Sequence, residues 1–192
     1  METFKALLTN LRWFAGHQIR NVATPAGNII TGSPISDLNP IFLSTSCIFT
    51  ISCHNKSVNM SFPYNFSLNV PNCISRKVPA KEFWTGYRQN TCTSTEIITQ
   101  IFIPLNEKGQ FVRAYKQSKR RDDDIAIVNA GLMIQLDDEN YVKDVGFGFG
   151  GMRSLSVRTP LSEEWLIGKQ FGDVNVLKGL LGKLSEVRLL VF

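Results

Sequence analysis

The chain has 192 residues, of which 43% are hydrophobic and 19% are charged, a balance typical of a folded globular protein rather than a disordered segment. Its formal net charge of +5 is modest, and an anionic ligand would account for it as well as a nucleic acid would. Residues 1–11 lack a basic start with a long apolar run, and no window approaches roughly 18 apolar residues, so we expect neither a secretory signal nor a membrane span.

The first half of the chain predicts one clear helix and several less regular segments. Apolar residues recur at helical spacing in residues 2–12, and the alternation in "QIRNVA" (18–23) predicts a short strand. The turn-rich segment 24–40 reads as a loop, and the β-branched, apolar run 39–52 as a strand or a bent pair of strands. Residues 54–82 have little periodicity and predict a long loop or insertion.

The second half predicts strands separated by turns and followed by helices. The predicted strands are 96–104, 110–117, 125–136 and 141–152. A helix is expected from residue 161, with Ser162 as its cap, and the glycine-broken tail 176–192 is also helix-like. The chain is therefore predicted to be α+β, with antiparallel strands, helices at both ends and a boundary near residues 106–113.

The cysteines do not predict a metal site. Cys47, Cys53, Cys73 and Cys92 contain no C-x-x-C pair, and the chain has only two histidines that could join them. Reduced thiols in an intracellular protein fit this pattern better. The N-x-S triplets at Asn55, Asn59 and Asn65 favour a Ser/Asn-rich loop over glycosylation.

Gly146, Gly148 and Gly151 match the G-x-G-x-x-G pattern of dinucleotide-binding folds. That fingerprint needs a helix that opens on its glycines, whereas here "MRSLSVRTP" follows, without a helical apolar stripe and with a proline. We therefore interpret these residues as strand glycines that permit close backbone packing.

Three other stretches each allow two interpretations. Segment 24–40 is either a tight connection or a loop whose backbone approaches a phosphate-bearing ligand. "LRWFAG" (11–16) is either core aromatics or an aromatic pair beside a planar ring, with Arg12 against Trp13. In "SKRRDDD" (118–124) the acidic residues cancel the positive electrostatic potential that would attract a nucleic acid. The segment is therefore either a solvated loop whose charges pair with one another or a packed cluster.

No general base or nucleophile stands out, because neither His17 nor His54 has an evident catalytic partner. The residues by themselves thus predict a ligand-binding α+β chain without its own catalytic machinery.

Four segments together resemble the flavin domain of xanthine dehydrogenase and related molybdenum hydroxylases. They are "LRWFAG" (11–16), "AGNIITGSPISDLNP" (26–40), "FWTGYR" (83–88) and "YKQSKRRDDDIAIV" (115–128), and "FGGM" (149–152) agrees in order and spacing. The resemblance implies half of a p-cresol-methylhydroxylase-type FAD-binding domain in residues 1–108, followed by a small antiparallel sheet with helices in residues 113–192. It also favours the ligand interpretation of segment 24–40, which in this family runs along FAD.

The resemblance assigns no catalytic or metal-binding residue and two sets of FAD-related residues. The cofactor-binding set is Phe14, Thr24, Pro25, Ala26, Gly27, Asn28, Thr31, Asp37, Ile98 and Lys116. The set that gates the flavin is Arg12, Trp13, Arg121 and Asp123. Asp37 is expected to be the hydrogen-bonding carboxylate and Lys116 the lysine near the flavin.

The implied function is passage of electrons from iron–sulfur clusters to FAD and on to NAD or oxygen. An aldehyde oxidase-like flavin domain, or an inactive interaction module that no longer binds FAD, are the alternatives. The resemblance implies a fragment of a cytoplasmic or peroxisomal homodimer, with the pyrophosphate loop, the iron–sulfur clusters and molybdopterin in other parts of the parent polypeptide. It implies no nucleic-acid or membrane partner.

Overall fold

The computed structural model describes residues 1–54 and 73–186, which form seven helices and nine strands. The helices are α1 (Glu2–Arg12), α2 (His17–Val22), α3 (Pro25–Thr31), α4 (Asn39–Ser44), α5 (Ala80–Phe83), α6 (Pro160–Leu166) and α7 (Val174–Glu186). The strands are β1 (Ile48–His54), β2 (Cys73–Pro79), β3 (Trp84–Gly86), β4 (Gln89–Asn90), β5 (Glu96–Phe102), β6 (Gln110–Gln117), β7 (Val128–Leu136), β8 (Val142–Gly150) and β9 (Val157–Arg158).

The described strands form three antiparallel sheets. The first has the order β2-β1-β5, the second is the β3-β4 hairpin, and the third is the meander β6-β7-β8-β9. The prediction of an α+β fold with antiparallel strands and helices at both ends is thus confirmed.

The prediction of a strand at residues 18–23 is wrong, because this segment lies in helix α2. None of the residues of α2 is buried, so the apolar and polar residues that alternate here do not mark a buried and an exposed face of a strand. Arg20 instead donates hydrogen bonds of 2.6 Å to the carbonyl oxygens of Phe14 and Ala15, which ties the helix to the end of α1.

Segment 24–40 is more helical than predicted. Thr24 caps α3 by accepting a hydrogen bond from the amide of Gly27 (3.0 Å), and Gly32 ends the helix in a left-handed conformation (φ 57°). Helix α4 begins at Asn39 with Pro40 in its first turn, where proline is tolerated. The strand predicted for residues 39–52 therefore exists only from Ile48 onward.

The long loop predicted for residues 54–82 is contradicted at its end by β2, which pairs in register with β1. Residues 74–77 are all exposed, so this strand shows no alternation of buried and exposed side chains. The middle of the predicted loop, with the three N-x-S triplets, lies outside the described residues.

Most strands and helices of the second half follow the sequence predictions. Strand β7 begins at Val128 rather than at residue 125, β9 has no counterpart in the predictions, and the cap of α6 differs. The N-cap of this helix is Thr159, and Ser162 lies inside the helix, where its amide donates to the carbonyl oxygen of Thr159 (3.0 Å). The prediction of Ser162 as the cap is therefore wrong.

The glycines of β8 permit close packing of α4, as predicted. A Cβ atom on Gly146 would lie 2.1 Å from the carbonyl oxygen of Ser44, and one on Gly148 would lie 2.1 Å from that of Pro40. Gly131 on β7 meets the backbone of Ile41 in the same way. Helix α4 thus lies directly on the backbone of the third sheet.

The main hydrophobic core joins both halves of the chain. Phe49, Phe83 and Trp84 form edge-to-face aromatic contacts at its centre, and Val112 and Met133 of the third sheet belong to the same buried cluster. Helix α1 packs on β6, and α4 packs on β7 and β8. Among residues 1–54 and 73–186, no helix has the length and apolar character that crossing a membrane requires.

Candidate functional site

A cleft of about 410 Å³ opens where four separate segments meet. Its walls come from Phe14 and Ala15 after α1, from Asn28 of α3 with Ser33 and residues 35–37 after that helix, from Arg88, and from Arg120 with residues 123–126 after β6. The volume falls in the range of small-molecule sites, which is about 300–1,000 Å³. The lining combines small or apolar residues with charged ones.

Buried amides hold the backbone of residues 33–37 in place. Asn10 Nδ2 donates to the carbonyl oxygen of Asp37 (2.8 Å), and Asn129 Nδ2 donates to that of Ser36 (2.9 Å). The amide of Gly151 donates to the carbonyl oxygen of Pro34 (2.8 Å). Because both asparagines are almost fully buried, this wall of the cleft is fixed before any ligand arrives.

Asp37 and Lys116 form a buried ion pair at the wall of the cleft, with side chains only 8% and 5% exposed. Lys116 Nζ lies 3.2 Å from Oδ1 and 3.3 Å from Oδ2 of Asp37, but only the contact to Oδ2 is a hydrogen bond. Oδ1 therefore has no hydrogen-bond partner among the described residues. Lys116 also donates to the carbonyl oxygen of Trp13 (3.1 Å).

The pKa of Asp37 reflects two opposing influences. Burial raises it, because the charged carboxylate loses its hydration, while the charge and the hydrogen bond of Lys116 act in the lowering direction. The net shift is upward, so burial outweighs the lowering effect of Lys116 on the pKa of Asp37.

Two guanidinium groups lie against the ring of Trp13. The Cζ atom of Arg12 is 5.0 Å from the ring centroid and that of Arg121 is 4.9 Å from it. Both distances are in the range of cation–π contacts. The structure thereby brings Arg121 onto the adjacent residues Arg12 and Trp13, from which it is far apart in the sequence.

The loop of residues 118–127 is organised by Asp124. Its carboxylate accepts hydrogen bonds from the amides of Arg120 (2.7 Å) and Ile125 (2.9 Å), and these bonds lower the pKa of Asp124. Asp123 has a positive φ of 47° and lines the cleft beside Asp124. The acidic half of "SKRRDDD" thus shapes its own loop and one wall of the cleft.

The structure places Phe14, Asn28, Asp37 and Asp123 on the cleft, with Lys116 bound to Asp37. The other residues of the cofactor-binding set, Thr24, Pro25, Ala26, Gly27, Thr31 and Ile98, are not among its lining residues. The Thr24 hydroxyl is occupied as the cap of α3, and the Thr31 hydroxyl donates to the carbonyl oxygen of Gly27 (2.8 Å). Ile98 is buried in the main core.

Sequence reasoning did not single out Ser36, Arg88 and Ile125, which also line the cleft. Ser36 Oγ donates to Asn28 Oδ1 (2.7 Å), a contact that the shared motif 26–40 could have suggested. Arg88 adopts a positive φ of 52° at the end of "FWTGYR", which no side-chain pattern indicates. Within the described ranges, no group of three or more His, Cys, Asp or Glu residues could hold a metal ion.

Two protein-family models match the chain. One, described as the FAD binding domain in molybdopterin dehydrogenase, matches residues 1–66. The other, described as the CO dehydrogenase flavoprotein C-terminal domain, matches residues 113–187.

Curated relatives and solved structures agree with these matches. Xanthine dehydrogenase of Emericella nidulans is 42% identical over 96% of this chain, and xanthine dehydrogenase 1 of Arabidopsis thaliana is 41% identical over 87% of it. This chain covers only 12% and 11% of those two proteins. A chain of carbon monoxide dehydrogenase from Hydrogenophaga pseudoflava has the same fold, with a TM-score of 0.78 and 18% identity, over 95% of this chain and 56% of its own length.

Proposed function

This chain belongs to the xanthine dehydrogenase family of molybdenum hydroxylases, as part of their flavin-binding region, and on this premise we propose that the cleft described above receives the isoalloxazine ring of FAD. We call this cleft, which Phe14, Asp37 and Arg88 line, the first cleft. The observation that carries the proposal is the buried Asp37 carboxylate on the cleft wall, a charged acceptor whose ion-pair partner Lys116 lies 3.2 Å from Oδ1. Hydrogen bonds to charged groups are stronger than those between neutral groups, so this carboxylate favours a ligand with an N–H donor.

The residues present fit a flavin ring. The ring has an apolar, planar body and polar edges, and the cleft offers Phe14 and Ile35 to the body and Asp37 to an edge. Residues 33–37 are short or branched side chains on a backbone that three hydrogen bonds fix, so a flat ligand can approach closely.

Each residue is assigned a role in this proposal. Asp37 accepts a hydrogen bond from the ring, and Lys116 orients that carboxylate through the ion pair. Phe14 packs beside the ring, and Arg120, Asp123 and Asp124 form the rim through which an electron acceptor would approach.

When bound, FAD supplies the redox chemistry: it takes electrons from iron–sulfur clusters and gives them to NAD or oxygen. We propose that these clusters and molybdopterin belong to other parts of a longer, homodimeric parent enzyme of which this chain is the flavin portion. The chain spans about one eighth of the relatives it matches, 12% and 11%, and their names favour a purine over an aldehyde as the parent's substrate. We also propose residues 1–108 and 113–192 as the two domains of this portion.

Titration of FAD with the purified chain, followed by quenching of flavin fluorescence, tests the proposal. We expect saturable binding that weakens about tenfold or more in Asp37→Asn, because a hydrogen bond to a charged group contributes about 1.5–3 kcal/mol. Phe14→Ala, which leaves the ion pair intact, should weaken binding several-fold, since an aromatic contact contributes about 0.5–1.5 kcal/mol.

The matched control is Glu164→Gln, which neutralises an exposed carboxylate on α6. It should leave the affinity unchanged. Two results would contradict the proposal and favour an interaction module. One is a parent chain that does not quench the fluorescence of FAD; the other is an FAD affinity that is as high in Asp37→Asn and in Phe14→Ala as in the parent chain.

A further inference from the structure

A second cleft, of about 470 Å³, shares no lining residue with the first. It lies between α4, α5 and the segment that runs from the end of β8 through β9 into α6. Its floor is apolar, with Leu43 and Leu155, and its rim is basic, with Lys81, Arg153 and Arg158. Nothing in the flavin proposal uses these residues.

One of the three cations, Arg158, is already paired within the fold. Its Nε donates to Glu163 Oε1 (3.0 Å) and its Nη2 to Glu163 Oε2 (2.8 Å). Glu163 Oε1 also accepts a hydrogen bond from the amide of Phe147 (2.8 Å). Glu163, the one carboxylate that lines the cleft in the described part of the chain, is thus paired with Arg158, which reduces its repulsion of an anion.

The other two cations are available. Arg153 is exposed and makes no hydrogen bond or ion pair with the described residues. Lys81 Nζ is 3.8 Å from Glu82 Oε1, but both side chains are more than 60% exposed, at 63% and 61%. A contact of this kind is screened by water and contributes little, so it leaves the ammonium group free to bind a ligand.

The lining of the same cleft includes a buried hydroxyl without a hydrogen-bond partner among the described residues. Ser156 is only 3% exposed and lines the cleft, and its Oγ makes no hydrogen bond among the described residues. A buried hydroxyl in this state costs free energy, and a ligand oxygen beside it would remove that cost.

We propose that this second cleft binds a small phosphate-bearing ligand. Arg153 and Lys81 supply the charge and the N–H donors that a phosphate prefers, and Ser156 supplies a neutral O–H donor. The apolar floor at Leu43 and Leu155 would take the organic part of a phosphomonoester. The ligand is therefore either free phosphate or its ester with an apolar group, and this site does not depend on FAD.

Calorimetric titration of the 192-residue chain with inorganic phosphate and with phenyl phosphate, at constant ionic strength, tests the proposal. We expect saturable binding that weakens about tenfold or more in Arg153→Gln and is largely restored in Arg153→Lys. Ser156→Ala should weaken binding too, without loss of the folded state. Tighter binding of phenyl phosphate would identify an ester as the ligand, and equal binding would identify the free anion.

Two controls that each remove one positive charge, Lys143→Gln and Arg88→Gln, separate this site from other basic surfaces. Lys143 is exposed on β8 outside both clefts, and Arg88 lies in the first cleft, so neither change should alter the affinity for phosphate. The proposal is overturned if neither probe binds saturably, if Lys143→Gln weakens binding as much as Arg153→Gln, or if only Arg88→Gln, in the first cleft, weakens it.

Discussion

At the scale of single residues, the structure depends most on the pairing of Asp37 with Lys116. Both side chains are nearly buried, and their separation of 3.2 Å compensates part of the cost of removing two charges from water. The pair also joins three distant segments, because Lys116 on β6 binds the carbonyl oxygen of Trp13 as well as Asp37. The pair therefore stabilises the fold whether or not a ligand is bound.

Replacement of Lys116 by Met should destabilise the chain strongly. The variant leaves the Asp37 carboxylate buried without a counter-ion, a defect that typically costs about 3–5 kcal/mol. Urea unfolding at neutral pH measures the loss. Lys143→Met, at an exposed position, should change the free energy of unfolding by no more than about 0.5 kcal/mol.

The same variant should show a characteristic pH dependence. Without Lys116, burial raises the pKa of Asp37 further, since the lowering influence is gone. A carboxyl group whose pKa is higher in the folded than in the unfolded state stabilises the fold fully at pH values below its unfolded-state pKa, which is about 3.9. This contribution to stability is lost as the pH rises through the folded-state pKa. The destabilisation should therefore be smallest below about pH 4. An equal loss at acidic and neutral pH would show that Asp37 is not the group affected.

At the scale of elements, α4 on the third sheet determines where the cleft wall lies. Gly146 and Gly148 let the helix approach until their α-carbons face the carbonyl oxygens of Ser44 and Pro40. The segment that carries Asp37 runs directly into this helix, so the packing of α4 positions the site.

Gly146→Ala should therefore destabilise the chain, because the new Cβ would lie 2.1 Å from a backbone oxygen that cannot move alone. Overpacking of this kind costs about 1–3 kcal/mol, and urea unfolding measures it. Gly182→Ala, on α7 with no described atom within 4 Å of its Cβ, should instead stabilise by about 0.5–1 kcal/mol. A Gly146→Ala chain as stable as the parent would show that α4 does not pack this closely.

The elements also show why some local structure could be predicted from the sequence and some could not. The strands β6 and β7 and the helix α1 have periodic patterns, and they were found where expected. Helix α4 is buried on every side, so it has no polar face and resembles a strand in sequence. Strand β2 lies at the edge of its sheet, with the side chains of residues 74–77 exposed, and α2 has no buried residue. Neither element therefore shows the periodic pattern of apolar residues that burial of one face produces.

At the scale of the whole molecule, the cleft is made by distant segments that share one core. Phe14, Asp37, Arg88 and Asp124 come from four regions of the chain, and Val112 and Met133 tie the third sheet to the core of the first. The shared motifs could name candidate residues such as Phe14 and Asp37, which the structure places on the cleft. They could not show that the Thr24 hydroxyl is occupied as the cap of α3, nor that Asn10 and Asn129 hold the wall.

The most direct test of the flavin site is an NMR titration of the ¹⁵N-labelled chain with FAD. The largest changes in amide chemical shift should fall on Ser36, Asp37 and Ile125, which line the first cleft, and not on the second cleft around Ser156. Saturable binding whose largest shifts lie elsewhere, or an unchanged spectrum at high FAD concentration, would contradict the assignment of this cleft to the flavin.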